Sequence, residues 1–466
     1  MRMFNKRITC RLLACLLFFN CLPALLFAQG TQAIITGTVV DNKGESVIGA
    51  TIQVKNESTG FFTGSITNDK GEYTIKQLPL GSPYTVTASY IGYGEQKKTG
   101  YALNQGDMLR VDFKLAEESV EIQAVEVVAN SLKNKVPKIG AATSISAQNI
   151  TKLPVTNQYD VTNGRSGGGT VSAVTKSGTN TFTGSVFGFG RADWLSSSYD
   201  IRGNKSTSDF STYQYGFSLG GPIVKDRAHF YVVWDHQQDS RPIYIADIKT
   251  AADESRYNVT QSTLDRYLDI ARTKYGVSND PQFGEFGKKK QTNAVFARID
   301  WQLNATNLLT IRNNFINEDN KQSESDNSSI NLYEVWIDRK SHNNSLLATL
   351  RSVLSPKLTN ELKLQHFLVY EATTPNKQLP SSNIPRAIVE NVESISGDKS
   401  MYTSIQLGGQ RYAPEHFKDN VLQLVDNMYY NTDRINYTFG ADFMYTNMKS
   451  LYGSEMNGRF YFTGLD

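Results

Sequence analysis

Cysteine is confined to the first twenty-one residues of this 466-residue chain, as Cys10, Cys15 and Cys21. Everything after them is therefore without disulfides, thiolate nucleophiles or thiolate metal ligands. Histidine is nearly as scarce: His229, His236, His342, His366 and His416 are all there are. None starts a His-Glu-x-x-His or His-x-x-Glu pair, so the common zinc-hydrolase pattern is missing. The glycine-rich stretch 164–169 has no Lys-Ser/Thr at phosphate-loop spacing. No catalytic group, metal set or cofactor motif emerges, and an enzyme is not expected. Net charge is also small: formally +3. Arg2, Lys6, Arg7 and Arg11 supply more than that excess, leaving a near-neutral body ill suited to a nucleic acid partner. After residue 27 no apolar run approaches eighteen residues, which excludes membrane-spanning helices.

What is present begins with those four cations, the apolar run 12–27 and Ala28-Gln29-Gly30. This is the pattern of a secretory signal peptide. A cut near residue 28 would remove all three cysteines. Aromatic content is high, with 24 Tyr and 23 Phe, and glycine reaches 35. The fold expected is all-β. Residues 29–116 read as short β-prone runs separated by turn signals such as Asn68-Asp-Lys-Gly71, a small antiparallel sandwich of Ig-like or prealbumin-like type. Asn68, Asp69 and Glu72 lack the spacing of a calcium loop and read as a turn. From residue 181 on, runs near ten residues alternate apolar and polar. In 434–447, Ile435, Tyr437, Phe439, Ala441, Phe443 and Tyr445 take one face, and Asn436, Thr438, Gly440, Asp442 and Thr446 the other. Strands of this length with one apolar face suit a wall between lipid and water.

Connections strengthen that expectation. Short ones at 221–226, 302–306, 355–359 and 431–433 alternate with long ones near 191–212, 239–291, 317–343, 372–418 and 448–457. Tight periplasmic turns and large external loops give a β-barrel this rhythm. Trp301, Tyr429 and Tyr430 fall beside short turns, where an interfacial aromatic girdle belongs. Within the longest connection, Leu264, Tyr267, Leu268, Ala271 and Tyr275 have helical spacing. About ten strands are expected by residue 462.

The motifs Gly37-Thr-Val-Val-Asp41, Ile48-Gly-Ala-Thr-Ile-Gln-Val54, Thr67-Asn-Asp-Lys-Gly-Glu-Tyr73 and Tyr90-Ile-Gly-Tyr93 resemble the carboxypeptidase regulatory-like domain. Residues 117–130 form a polar linker around Ala124, Val125, Glu126, Val127, Val128 and Ala129, suited to strand addition. A last strand of the sandwich, or a spacer, is the other reading of that hexapeptide. In this context it resembles the TonB box of TonB-dependent outer-membrane receptors. Two further runs, 141–154 and 159–180, resemble the plug of the Oar-like subgroup. The resemblance implies a TonB-dependent receptor of the cell outer membrane: sandwich, box, a plug shortened to 131–180, and an incomplete barrel over 181–466. It implies pairing with the TonB energy-transducing complex, contact with outer-membrane lipid, import of a large hydrophilic solute and a possible surface lipoprotein partner. A shortened plug and a barrel short of twenty-two strands suggest a fragment. The alternative is an adhesion or signalling barrel without transport.

Overall fold

The computed structural model describes residues 33–104, 107–117, 126–128, 175–199, 205, 209–325, 330–355, 357–392, 403–432 and 435–465. The expected signal peptide and nearly all of the expected plug lie outside these. Two compact units result, one around the strands up to residue 128 and one around residues 176 onward.

The first unit has two sheets. Its strands are β1 (Ala33–Val40), β2 (Thr51–Asn56), β3 (Phe62–Ile66), β4 (Glu72–Leu78), β5 (Gly81–Tyr90), β6 (Tyr93–Leu103), β7 (Met108–Arg110), β8 (Phe113–Lys114) and β9 (Glu126–Val128). One sheet runs β4-β1-β7, with β8 also on β1; the other runs β3-β2-β5-β6-β9. Alternation in β1 and β2 buries Ala33, Ile35, Val39, Ile52 and Val54, which pack with Tyr73, Ile75, Tyr84, Val86 and Phe113 as the core. Two buried tyrosines keep their hydroxyls satisfied: Tyr73 donates to the Val111 carbonyl at 2.5 Å and Tyr84 to Pro79 at 2.6 Å. The Asn68 side chain accepts from the backbone N–H groups of Lys70 and Glu72, while Gly71 supplies φ +71°. The oxygen that a cation would need is spent on the turn.

The second unit is dominated by long strands. These are β10 (Thr183–Ala192), β11 (Ser211–Val224), β12 (Ala228–Ile245), β13 (Gly284–Asn304), β14 (Asn307–Glu324), then β15 (Ile330–Asn331) and β16 (Ile337–Ser355). They continue with β17 (Leu358–Thr374), β18 (Arg386–Val392), β19 (Thr403–Gly408), β20 (Glu415–Asn431), β21 (Asn436–Leu451) and β22 (Arg459–Phe462). Nine of them form an antiparallel meander, β10-β11-β12-β13-β14-β16-β17-β20-β21, whose edges in the described residues are β10 and β21. Among the described residues the wall thus holds nine strands. The segment expected to supply a tenth, Arg459–Phe462, instead pairs in parallel with β18 in a second sheet, β15-β19-β18-β22.

Strand length departs from expectation. β13 has 21 residues and β16 has 19, where about ten cross a membrane. The extra length comes from segments read as loop: β12 and β13 stay paired out to Ile245 opposite Gly284. Short connections are as tight as expected. Between β13 and β14 only residues 305 and 306 intervene, and the Asn304 side chain accepts from the N–H groups of Thr306 and Asn307 at 3.0 Å each.

Beyond the wall's far end, α1 (Ala251–Tyr257) and α2 (Gln261–Tyr275) pack with the second sheet. Thr250 opens α1 with a reciprocal capping box to Asp253. Leu264, Tyr267 and Ala271 of α2 are buried, as their spacing predicts. Tyr275 is 54% exposed and meets the Phe462 ring edge-on at 5.9 Å. Among the described residues no helix is long and apolar enough to cross a membrane.

Candidate functional site: edge strand and polar wall

Three features carry chemistry. The first is the hexapeptide from Ala124 to Ala129. Glu126, Val127 and Val128 form β9, which adds in parallel to β6 at the edge of its sheet, opposite Lys97, Lys98 and Thr99. Ala124, Val125 and Ala129 lie outside the described residues. The segment is thus held as an extra edge strand, by main-chain pairing. The sequence reading missed β6, whose stretch Gly94-Glu-Gln-Lys-Lys-Thr-Gly100 has no apolar period. Its only local signal is that Tyr90-Ile-Gly-Tyr93 turns the chain back on β5, with Tyr90 opposite Tyr93.

The second is the polar face of the nine-stranded wall. The register puts Trp301, Ile299 and Val295 of β13 beside Leu309, Ile311 and Phe315 of β14, while Arg298 and Asp300 point the other way beside Arg312 and Thr310. On that polar face Asp300 receives Arg298 at 2.8 Å and the Thr310 hydroxyl at 2.8 Å. The same face carries Gln214 on Asp235 at 2.8 Å, Lys290 on Glu318 at 2.9 Å and Gln423 on Asp442 at 2.9 Å. Arg298 stands directly opposite Arg312. Mixed charge in ladders of this kind wets a surface and offers hydrogen bonds to a hydrophilic solute. No group of three or more His, Asp or Glu able to hold a metal occurs among the described residues.

The third is a buried carboxyl in the loop body. Glu334, only 2% exposed, accepts at 2.8 Å from the Gly408 N–H, and its own N–H donates to Gln282 at 3.1 Å. Burial pushes its pKa up to about 7, against the opposing pull of the Gly408 hydrogen bond. Buried Arg386 lies in the same region, donating to Gln406 at 3.0 Å and pairing with Glu455 at 2.5 Å. No motif in the sequence marks this cluster.

With a meander whose faces divide by polarity, comparison with known proteins becomes decisive. Residues 174–263 and 258–466 match the Outer membrane beta barrel domain, which is more than half of the chain. The chain belongs to that outer-membrane barrel family. The barrel is preceded by a match to the Carboxypeptidase regulatory-like domain over residues 34–116. A stretch of 153 residues is 31% identical to the TonB-dependent receptor SusC of Bacteroides thetaiotaomicron, covering 33% of this chain and 14% of that protein. The chain therefore matches only a small part of this curated relative's length. Among solved structures, the outer membrane transporter YddB from Escherichia coli matches with TM-score 0.34 and 10% identity, over 53% of this chain and 27% of that one. Catechol 1,2-dioxygenase from Acinetobacter sp. ADP1 matches with TM-score 0.16 and 12% identity, over 22% and 60%. The family places the barrel in the outer membrane. There the apolar face meets lipid and the polar face lines the interior.

Proposed function

We propose that this chain is part of a TonB-dependent receptor of Oar-like type that imports a large hydrophilic solute across the outer membrane. The observation that carries the proposal is the charged, hydrogen-bonding inner face of a lipid-facing wall, on a chain that also carries a β-prone box segment. The partial match to SusC supports it. In this reading solute binds the external loops and the inner face. The TonB complex then adds a strand to the hexapeptide Ala124 to Ala129 and draws the plug, so the energy comes from the inner membrane. The domain boundaries proposed at residues 28, 116, 130 and 180 follow the same reading, and catalysis has no part in it.

Pairing by strand addition needs backbone N–H groups, which proline lacks. Substituting both Val125→Pro and Val127→Pro should abolish uptake and pull-down of the TonB periplasmic domain, with surface expression unchanged. Undiminished uptake by this variant would sink the proposal. One observation favours the second reading, adhesion or signalling: the loop body has its own apolar core, including Val259, Leu264, Leu332, Val392 and Ile405. That reading expects cell-surface binding to survive the same double substitution.

A further inference from the structure

One rung of the wall crosses all nine strands on the lipid-facing side: Gly188, Tyr215, His236, Asn293, Asn317, His342, Tyr370, Lys418 and Lys449. Next to it, toward the short turns, Phe217, Trp234, Val295 and Phe315 are apolar neighbours in register. On β20 and β21 the next rung is Asn420 opposite Asn447, and apolar positions begin at Leu422 opposite Tyr445, so the rung lies just outside the apolar band. Four of its polar members bond one another within the wall: His236 bonds Asn293 at 2.8 Å and His342 bonds Asn317 at 3.0 Å. Its last two members are different. Lys418 and Lys449 stand directly opposite each other on β20 and β21, both exposed, and His416 follows on the same face one rung further out.

Like charges in cross-strand register repel, unless an anion lies between them. Parity removes the candidates nearby: Glu371, Glu415 and Asp419 point to the opposite face. The acidic member of the next rung, Asp319 of β14, lies opposite Lys340 of β16 and pairs with Lys321 at 3.3 Å. Neither Lys418 nor Lys449 is in an ion pair with a described residue. Two unpaired ammonium groups thus sit one polar rung beyond the apolar barrel surface, at the level of the external leaflet's headgroups and at the end of the strands bearing the long connections.

We propose that Lys418 and Lys449, flanked by His416, bind the phosphate of a phosphorylated glycolipid headgroup in the outer leaflet. The lysines act as point charges on one phosphate. The acyl chains lie along the apolar face of β20 and β21, where Leu422, Leu424, Phe443 and Tyr445 are exposed. The inference does not depend on transport.

Its test uses the full chain, extracted from the outer membrane and placed in phosphatidylcholine nanodiscs containing lipid A. Retained lipid A is counted by native mass spectrometry. Wild type should retain lipid A about thirtyfold more tightly than the Lys418→Ser/Lys449→Ser variant, from roughly equal contributions of two surface cations. Lys418→Arg/Lys449→Arg should keep most of the binding. Dephosphorylated lipid A should not be retained by wild type, and this arm decides the matter even if the serine variant does not fold. Equal retention of phosphorylated and dephosphorylated lipid would overturn the proposal. So would inorganic phosphate binding as tightly as lipid A to the detergent-solubilised chain, because the occupant would then be a soluble anion.

Discussion

Glu334 has an acid proton that folding holds on. Its carboxyl titrates near 7 in the folded loop body against the ordinary 4.5, so the folded state binds a proton that the unfolded chain has already released. Stability from this group is complete below pH 4.5, declines as pH rises and is lost above 7, a swing of about 3 kcal/mol. Glu334→Gln keeps an oxygen for the Gly408 N–H and removes the titration. Thermal unfolding of the wild-type loop body should therefore begin at lower temperature at pH 8 than at pH 5. The variant should lose most of that difference, and hydrogen exchange across α2 would read both. Nothing local in the sequence around Leu332-Tyr-Glu-Val335 distinguishes this glutamate from a solvated one. Its burial comes from Gly408 and Gln282, 74 and 52 residues away.

At the scale of elements, α2 shows what periodicity can and cannot supply. Leu264 is fully buried, so Leu264→Ala should destabilise the loop body by about 2–5 kcal/mol. Tyr275→Ala, at the exposed end of the same apolar stripe, should cost only about 1 kcal/mol for its ring contact. Protease susceptibility of residues 251–275 in intact cells would separate the two. The helix was legible because its apolar positions recur on one face. The inner half of each wall strand was legible for the same kind of reason, as in β21, where Tyr437, Phe439, Phe443 and Tyr445 share the exposed apolar face. The outer halves were not. The β13 stretch Gly284-Glu-Phe-Gly-Lys-Lys-Lys-Gln-Thr-Asn293 is polar or glycine at every position but Phe286, so its alternation of half-buried and exposed residues leaves no apolar period to read. It is a strand because β12 pairs with it. The sheet β15-β19-β18-β22 was invisible for a further reason: its strands come from three separate connections and meet only in the folded chain.

For the whole molecule, the close seam between β11 and β12 sets a condition on assembly. A side chain at Gly216 would overlap the Trp234 carbonyl oxygen and crowd Phe187 from β10. Gly216→Val should therefore part three adjacent strands, and the variant should lose the heat-shifted gel band that a folded outer-membrane barrel gives. Strand separation in lipid is severe because freed N–H and C=O groups have no water to turn to. The two-residue link between β13 and β14 adds a consequence of another kind. On that side of the membrane the chain has no slack: Asn304 holds the corner, and one inserted residue would shift the pairing and exchange the faces of a whole strand. On the other side, connections hold helices and a separate sheet without disturbing the register below. Sequence novelty can accumulate almost entirely on the side facing the outside world. Descendants of such a barrel can change their outward-facing segments while inheriting the same membrane wall.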